Sequence, residues 1–203
     1  MNAVELIRTI KQIRSDEAHL QQRRLLAENY EWLEHFWRYK YGQNDNSINR
    51  FINEKGLFYW NFLSIKELAK GFAEIECVGS NKRENYSQNQ EIASATMYLR
   101  YSCKLFTFEN QPECNSINCR HHKISTGLCI RQAAQSWQKD FNPIFAFKAL
   151  IYIVRQVRNN LFHGHKLSFE PEQYNRNRIL VQLASETTEV VVNNLVESEG
   201  QFP

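Results

Sequence analysis

The sequence predicts an all-α protein, and three observations support this fold class. Glycine and proline, the two residues that interrupt helices most strongly, number only 7 and 4 in 203 residues. Residues that favour helices, among them Leu, Ala, Glu, Gln, Lys and Arg, are plentiful. Apolar residues recur at intervals of three and four, the period of a helix with one buried face. At this length we expect one well-buried domain rather than two large ones.

Residues 2 to about 40 are predicted to be helical with one interruption. The apolar positions form two stripes that are out of phase, Leu6, Ile10 and Ile13 and then Leu26, Tyr30, Leu33 and Trp37. Ser15 or Asp16 can cap a second helix between them, so a kink or break is expected there. We therefore expect residues 1–41 to form an extended N-terminal helical arm that packs on the bundle or on a partner, and residues 42–203 to form the main helical domain.

The middle of the chain alternates between helical patterns and polar connections. After the turn "YGQNDNS", apolar residues on most sides predict one central helix over residues 57–78. The polar stretch 79–90 is predicted to be a loop, 91–108 a helix, 109–126 a long connection and about 127–140 another helix.

The most apolar helix is predicted to follow Asn142 and Pro143, a capping residue and a proline at the first helical position. It runs through "IFAFKALIYIVRQVRNNLFH", and Gly164 supplies the left-handed residue that commonly ends a helix. Pro171 can open a last helix that ends near residue 197. Within it the β-branched stretch "TTEVVV" matches a helix least well.

Charge and composition restrict the classes of function. The net charge is only +3, so a nucleic-acid contact is expected to be local rather than spread over the molecule. No stretch reaches the roughly 18 uninterrupted apolar residues of a membrane span, and the N-terminal residues include acids and no apolar signal core. We expect a cytoplasmic protein without a membrane partner, whose five cysteines are reduced thiols.

The stretch "RQVRNNLFHGHK", residues 155–166, gives the most apolar helix an unusually polar end. A basic last turn by itself only complements the helix dipole, with glycine as the exit. Taken together, however, Arg158, Asn159 and His163 bring a guanidinium, an amide and an imidazole to one rigid terminus, since positions four apart share a helix face.

These three groups suit cleavage of an RNA phosphodiester by its own 2′-hydroxyl. The imidazole of His163 moves a proton at neutral pH, the guanidinium of Arg158 binds the phosphate and its developing charge, and the amide of Asn159 orients either partner. The chemistry requires no cofactor and no metal. It does require both a base and an acid, and each chain offers one such histidine, so a symmetric homodimer is expected to complete the site.

"RNNLFHG" resembles the R-N-x-x-x-H signature of HEPN (higher eukaryotes and prokaryotes nucleotide-binding) domains. The resemblance implies an HEPN-like all-α bundle over roughly residues 57–197 and a metal-independent endoribonuclease with a composite site at a homodimer interface. Arg158, Asn159 and His163 match the Arg, the polar neighbour and the His of the signature. The family is frequent in toxin–antitoxin, abortive-infection and phage-defence systems, which implies a partner protein such as an antitoxin.

Three further residues near the motif are candidates for binding RNA phosphates. Arg155 lies one turn before Arg158, and Lys166 follows the glycine; solvated charge is the alternative interpretation of both. One HEPN subgroup carries a modified tyrosine two residues after the motif His, whereas this chain has His165. Neutralisation by adenylylation of that tyrosine is therefore not expected. His165 is interpreted either as a second proton carrier or phosphate ligand, or as an exposed loop histidine.

Other features compete with this interpretation. Cys114, Cys119, His121 and His122 have the ligand types of a zinc site, but free thiols and histidines in a loop are the default because a second ligand cluster is missing. The aromatic side chains in the stretches 30–41 and 57–62 are expected to pack in the core rather than to stack on bases. The alternative function is a catalytically silent HEPN-like module that binds RNA, a nucleotide or a protein.

Overall fold

A computed structural model of the chain describes residues 4, 7–8, 10–11, 15–44, 46–75, 95, 98–99, 102–103, 142–162 and 171–199. The described helices are α1 (Glu17–Tyr41), α2 (Ser47–Trp60), α3 (Leu63–Glu74), α4 (Pro143–Phe162) and α5 (Pro171–Glu199). No strand occurs among these residues, which confirms the predicted all-α class. Two compact units are present, Met1–Ile48 with Val154–Pro203 and Asn49–Ile153. The division into an arm of residues 1–41 and a domain of residues 42–203 stays a prediction.

Helix α1 begins where the sequence predicts a break. The Asp16 carboxylate accepts a hydrogen bond from the backbone N–H of His19 at 3.0 Å, which makes Asp16 the N-cap. At the other end Gly42 takes a φ of +101°, a value that favours glycine, and its N–H donates to the carbonyl of Arg38. The predicted core stripe of this helix is confirmed, since its four members are buried: Leu26, Tyr30, Leu33 and Trp37.

Helix α1 packs against α5 within the first unit. The hydroxyl of Tyr174 donates to the Asp16 carboxylate at 2.9 Å, and Nε of Arg178 lies 3.4 Å from the same group. The stretch "TTEVVV" is helical, as predicted. The hydroxyls of Thr187 and Thr188 donate to backbone carbonyls of the preceding turn, so these two buried side chains are satisfied within the helix.

The prediction of one helix over residues 57–78 is wrong. Helix begins ten residues earlier, at Ser47, because Ile48, Phe51 and Ile52 provide a buried face before residue 57 is reached. It then stops at Trp60, where the N–H groups of Asn61 and Phe62 bond carbonyls only three residues back, and Phe62 becomes extended before α3 starts. Two shorter helices therefore replace the single central one, the second ending at Glu74.

An aromatic core holds the second unit together. The rings of Tyr59 and Phe147 stack with centroids 5.2 Å apart, and Phe51 contacts both rings. Gly56 allows the close approach of α2 to α4, because a Cβ there would lie 3.4 Å from side-chain atoms of Ile144 and Phe147. These contacts fix the first half of α4.

The predicted start of α4 is also confirmed. The side-chain oxygen of Asn142 accepts from the N–H of Ile144 at 2.9 Å, and Pro143 is the first helical residue. The hydroxyl of Tyr98 donates to the carbonyl of Asn142 and accepts from its N–H, which ties the cap to the core of this unit.

Several predicted segments lie outside the described residues, namely the loop 79–90, the connection 109–126, the helix 127–140 and Gly164. Of the predicted helix 91–108, four described positions are helical: Ala95, Tyr98, Leu99 and Ser102. Within the described ranges no helix combines the length and apolar character needed to cross a membrane.

Candidate functional site

Helix α4 keeps an apolar face up to its polar last turn. Val154, Val157 and Leu161 follow one another at intervals of three and four, so they share one side of the helix. The two valines are buried and the leucine is partly buried. On the remaining surface of the same turn, Arg158 and Asn159 are partly exposed, as a ligand-binding pair must be. The apolar face thus anchors the terminus that carries them.

Contacts with Tyr30, Asn159 and Glu34 hold the guanidinium of Arg158 within the first unit. Its central carbon lies over the Tyr30 ring, 5.2 Å from the ring centroid. One terminal nitrogen donates to the Asn159 side-chain oxygen at 3.2 Å, and the other lies 4.0 Å from a carboxylate oxygen of Glu34. A planar guanidinium held over an aromatic ring loses less freedom on binding a phosphate than a flexible ammonium does. Arg158 is therefore oriented before any ligand arrives.

Glu34 connects this group to a second arginine. One of its carboxylate oxygens accepts from Arg38 at 2.6 Å, and the other faces Arg158. Tyr30, Glu34 and Arg38 follow at intervals of four residues, so they form one row along α1. The row places a ring, a carboxylate and a second guanidinium beside the end of α4.

The charged residues of this cluster also affect the pKa of Tyr30. Burial raises the pKa of its phenol to about 12, while the positive charges of Arg155, Arg158 and Arg38 oppose this rise and Glu34 adds to it. The phenol is therefore neutral throughout the physiological range. The Tyr30 ring can therefore contact the Arg158 cation at any physiological pH. Three arginines and one carboxylate give this cluster a net positive charge.

The predicted site residues divide into described and undescribed groups. Arg158 and Asn159 lie together in a hydrogen bond, and Arg155 is exposed one turn earlier. The remaining motif positions His163, His165 and Lys166 lie outside the described residues. The zinc candidates Cys114, Cys119, His121 and His122 do so too, and the described part of the chain contains no group of three potential metal ligands.

Sequence reasoning assigned Tyr30 only to the core and did not single out Glu34 or Arg38. A signal for them exists, since the three residues share one face of a predicted helix and two carry opposite charges four residues apart. Their relation to Arg158, more than 110 positions away, is set by tertiary packing and has no signal in a single sequence.

No family model, curated protein or solved structure matches this chain. Function is therefore inferred from the residues and their geometry. An oriented guanidinium with a hydrogen-bonded amide and excess positive charge is suited to binding a phosphate group and stabilising charge that develops on it.

Proposed function

We propose that this chain is an HEPN-type, metal-independent endoribonuclease that acts as a homodimer in a toxin or anti-phage defence system. The observation that carries the proposal is the guanidinium of Arg158, which lies over the Tyr30 ring and donates a hydrogen bond to Asn159 at the end of α4. In the R-N-x-x-x-H motif the Arg binds the phosphate, and orienting it in advance favours that binding.

In the proposed reaction the 2′-oxygen of a ribose attacks the adjacent phosphorus and the bond from phosphorus to the 5′-oxygen breaks. The neutral imidazole of one His163 takes the proton of the 2′-hydroxyl, and the imidazolium of the partner's His163 donates a proton to the leaving oxygen. Arg158 stabilises the charge on the non-bridging oxygens. The products are a 2′,3′-cyclic phosphate and a 5′-hydroxyl.

Arg155, His165 and Lys166 are proposed to bind phosphates that flank the cut. The net charge of +3 makes such local groups necessary, because the whole molecule attracts RNA only weakly. A protein partner that neutralises the nuclease and a cytoplasmic location belong to the same proposal.

Cleavage of RNA in the presence of EDTA tests the proposal. Purified protein is expected to leave 2′,3′-cyclic phosphate ends, and His163→Ala is expected to lower the single-turnover rate by about 10²–10⁴-fold, as for loss of a general acid or base. His35→Ala is the matched control, since His35 is an exposed histidine on α1 and pairs only with Glu31 among the described contacts. Undiminished cleavage by His163→Ala would rule out this mechanism.

The ion pair between Arg158 and Glu34 supports a second candidate, a catalytically silent module that binds RNA, a nucleotide or a protein. A guanidinium that already balances a carboxylate can bind phosphate without any proton transfer. This candidate predicts that no cyclic phosphate products form and that growth is equal when the wild type or His163→Ala is expressed. Toxicity that His163→Ala relieves favours the nuclease.

A further inference from the structure

We propose that Arg38 and Arg158 form a two-arginine clamp for an RNA phosphate, and that Glu34 is the internal anion which the phosphate displaces. The choice of RNA as the ligand rests on the proposed function. The clamp adds Arg38, a residue of α1, to a site that the sequence motif confines to α4 and the residues after it.

The geometry of Glu34 carries the inference. Its two carboxylate oxygens face two different guanidinium groups, at 2.6 Å for Arg38 and 4.0 Å for Arg158. A phosphodiester also presents two non-bridging oxygens with a shared negative charge, and guanidinium groups bind carboxylate and phosphate with the same donor geometry. Glu34 thus occupies the position between the arginines that suits a phosphate.

Displacement of Glu34 leaves the clamp in place. Arg158 keeps its contact with the Tyr30 ring and its hydrogen bond to Asn159. Arg38 lies in the last turn of α1, and its side chain is 46% exposed, so a ligand can reach it from solvent. The Glu34 side chain is itself 30% exposed, and solvent weakens ion pairs that it reaches. A phosphate can therefore displace the Glu34 carboxylate at low cost.

The local net charge predicts whether each variant binds a phosphate more tightly or more weakly. Arg38, Arg155, Arg158 and Glu34 all lie close enough to Tyr30 to affect its phenol, and together they carry an excess of two positive charges. Glu34→Gln raises this excess to three while keeping the shape and one acceptor oxygen. Arg38→Gln lowers it to one.

The experiment measures binding of a labelled 2′-O-methyl oligouridine by fluorescence anisotropy in EDTA. This probe has phosphates but no free 2′-hydroxyl, so it cannot be cut by transesterification. Over a salt series of about 50 to 200 mM, Glu34→Gln is expected to bind about three- to tenfold more tightly than the wild type, with a steeper salt dependence. Arg38→Gln is expected to bind about three- to tenfold more weakly, with a slope of log affinity against log salt that is smaller by about 0.7.

Matched controls carry the same charge changes at other exposed positions of the same helix. Glu31→Gln removes an exposed carboxylate that pairs with His35 at 3.8 Å. Arg24→Gln removes an exposed arginine about 21 Å further along α1, at 1.5 Å for each of the 14 intervening steps. Both controls are expected to stay within about twofold of the wild type. Unfolding weakens binding in every variant, so opposite effects of the two clamp variants cannot arise from misfolding.

Three results overturn the inference: equal affinities of Glu34→Gln and Glu31→Gln, weaker binding by Glu34→Gln, or no binding by the wild type. Preference for poly-glutamate over the RNA analogue, enhanced by Glu34→Gln, would assign the clamp to an acidic protein and overturn RNA as its ligand. Because the probe cannot be cleaved, the result is independent of His163. Loss of the nuclease proposal and loss of the clamp are thus distinguished.

Discussion

Arg158 combines two properties that a lysine lacks, a planar cation and several fixed donors. Its central carbon lies over the Tyr30 ring, and separate nitrogens face Asn159 and Glu34. An ammonium at this position would keep the charge but lose the stacking and the fixed donor directions. The geometry therefore depends on the residue type and not on its charge alone.

Arg158→Lys is expected to separate binding from catalysis. The single-turnover rate of RNA cleavage should fall about 10–100-fold, because the developing charge on the phosphate is met by a donor that is not oriented. The salt dependence of RNA binding should be unchanged, since the number of cations is the same. Arg24→Lys, on an exposed position of α1, is the control. A wild-type cleavage rate in Arg158→Lys would contradict the assigned role.

For single residues, the sequence predicts contacts between positions that are close together in the chain. Arg158 and Asn159 can be predicted because adjacent positions on one helix end must lie together, and Tyr30 can be assigned to the core from the spacing of its stripe. The contact of Arg158 with the Tyr30 ring could not be predicted, because it depends on how two segments 128 positions apart pack. The same limit applies to Glu34 and Arg38.

Among the helices, α1 carries both the cap that starts it and the row that contacts Arg158. Asp16 accepts from the His19 N–H and from the Tyr174 hydroxyl, and Arg178 lies nearby. The backbone hydrogen bond from His19 is the main cause that lowers the pKa of Asp16 below 3.8, and Tyr174 and Arg178 add to it against the effect of burial. One carboxylate thus fixes the start of α1 and its contact with α5.

Asp16→Ala is expected to lower the free energy of unfolding by about 2–3 kcal/mol at neutral pH. A lost N-cap costs about 1 kcal/mol and a lost hydrogen bond to a charged group about 1.5 kcal/mol or more. Since the folded-state pKa lies below the unfolded value, the part of this stabilisation that depends on the ionised carboxylate is present above about pH 3.8 and is lost as the pH falls through the folded pKa. Urea unfolding at several pH values checks both statements.

Two comparisons make the Asp16 experiment decisive. Asp16→Asn keeps a capping oxygen and should lose less stability than Asp16→Ala. Glu28→Ala, an exposed position on the same helix, should stay within about 0.5 kcal/mol of the wild type. Equal stability of Asp16→Ala and Glu28→Ala would show that the cap does not hold α1.

Helix starts and helix breaks differ in how well the sequence reveals them. Asp16 and Asn142 could be identified as starts, because a side-chain cap acts on N–H groups two or three residues away. The break between α2 and α3 could not, since Asn61 and Phe62 are neither glycine nor proline. There the packing of buried residues on both sides decides where the chain turns.

For the molecule as a whole, charge is nearly balanced, with 25 basic and 22 acidic side chains. The proposed binding of RNA therefore depends on the arginines near the end of α4 rather than on a general field. Substitutions at Arg38 or Glu34 are consequently expected to change RNA affinity more than equal charge changes elsewhere. Charge-matched controls are informative in this protein for that reason.

Dimer formation is the prediction that belongs to the whole molecule. Each chain supplies one motif histidine, His163, whereas cleavage by a 2′-hydroxyl needs one group that removes a proton and another that donates one. A symmetric pair of chains supplies both, so the cleavage rate per chain should fall as dilution dissociates the dimer. Mass photometry and single-turnover cleavage at the same protein concentrations check whether dimer fraction and rate decline together. A monomer that cuts as fast per chain as the dimer contradicts the composite site.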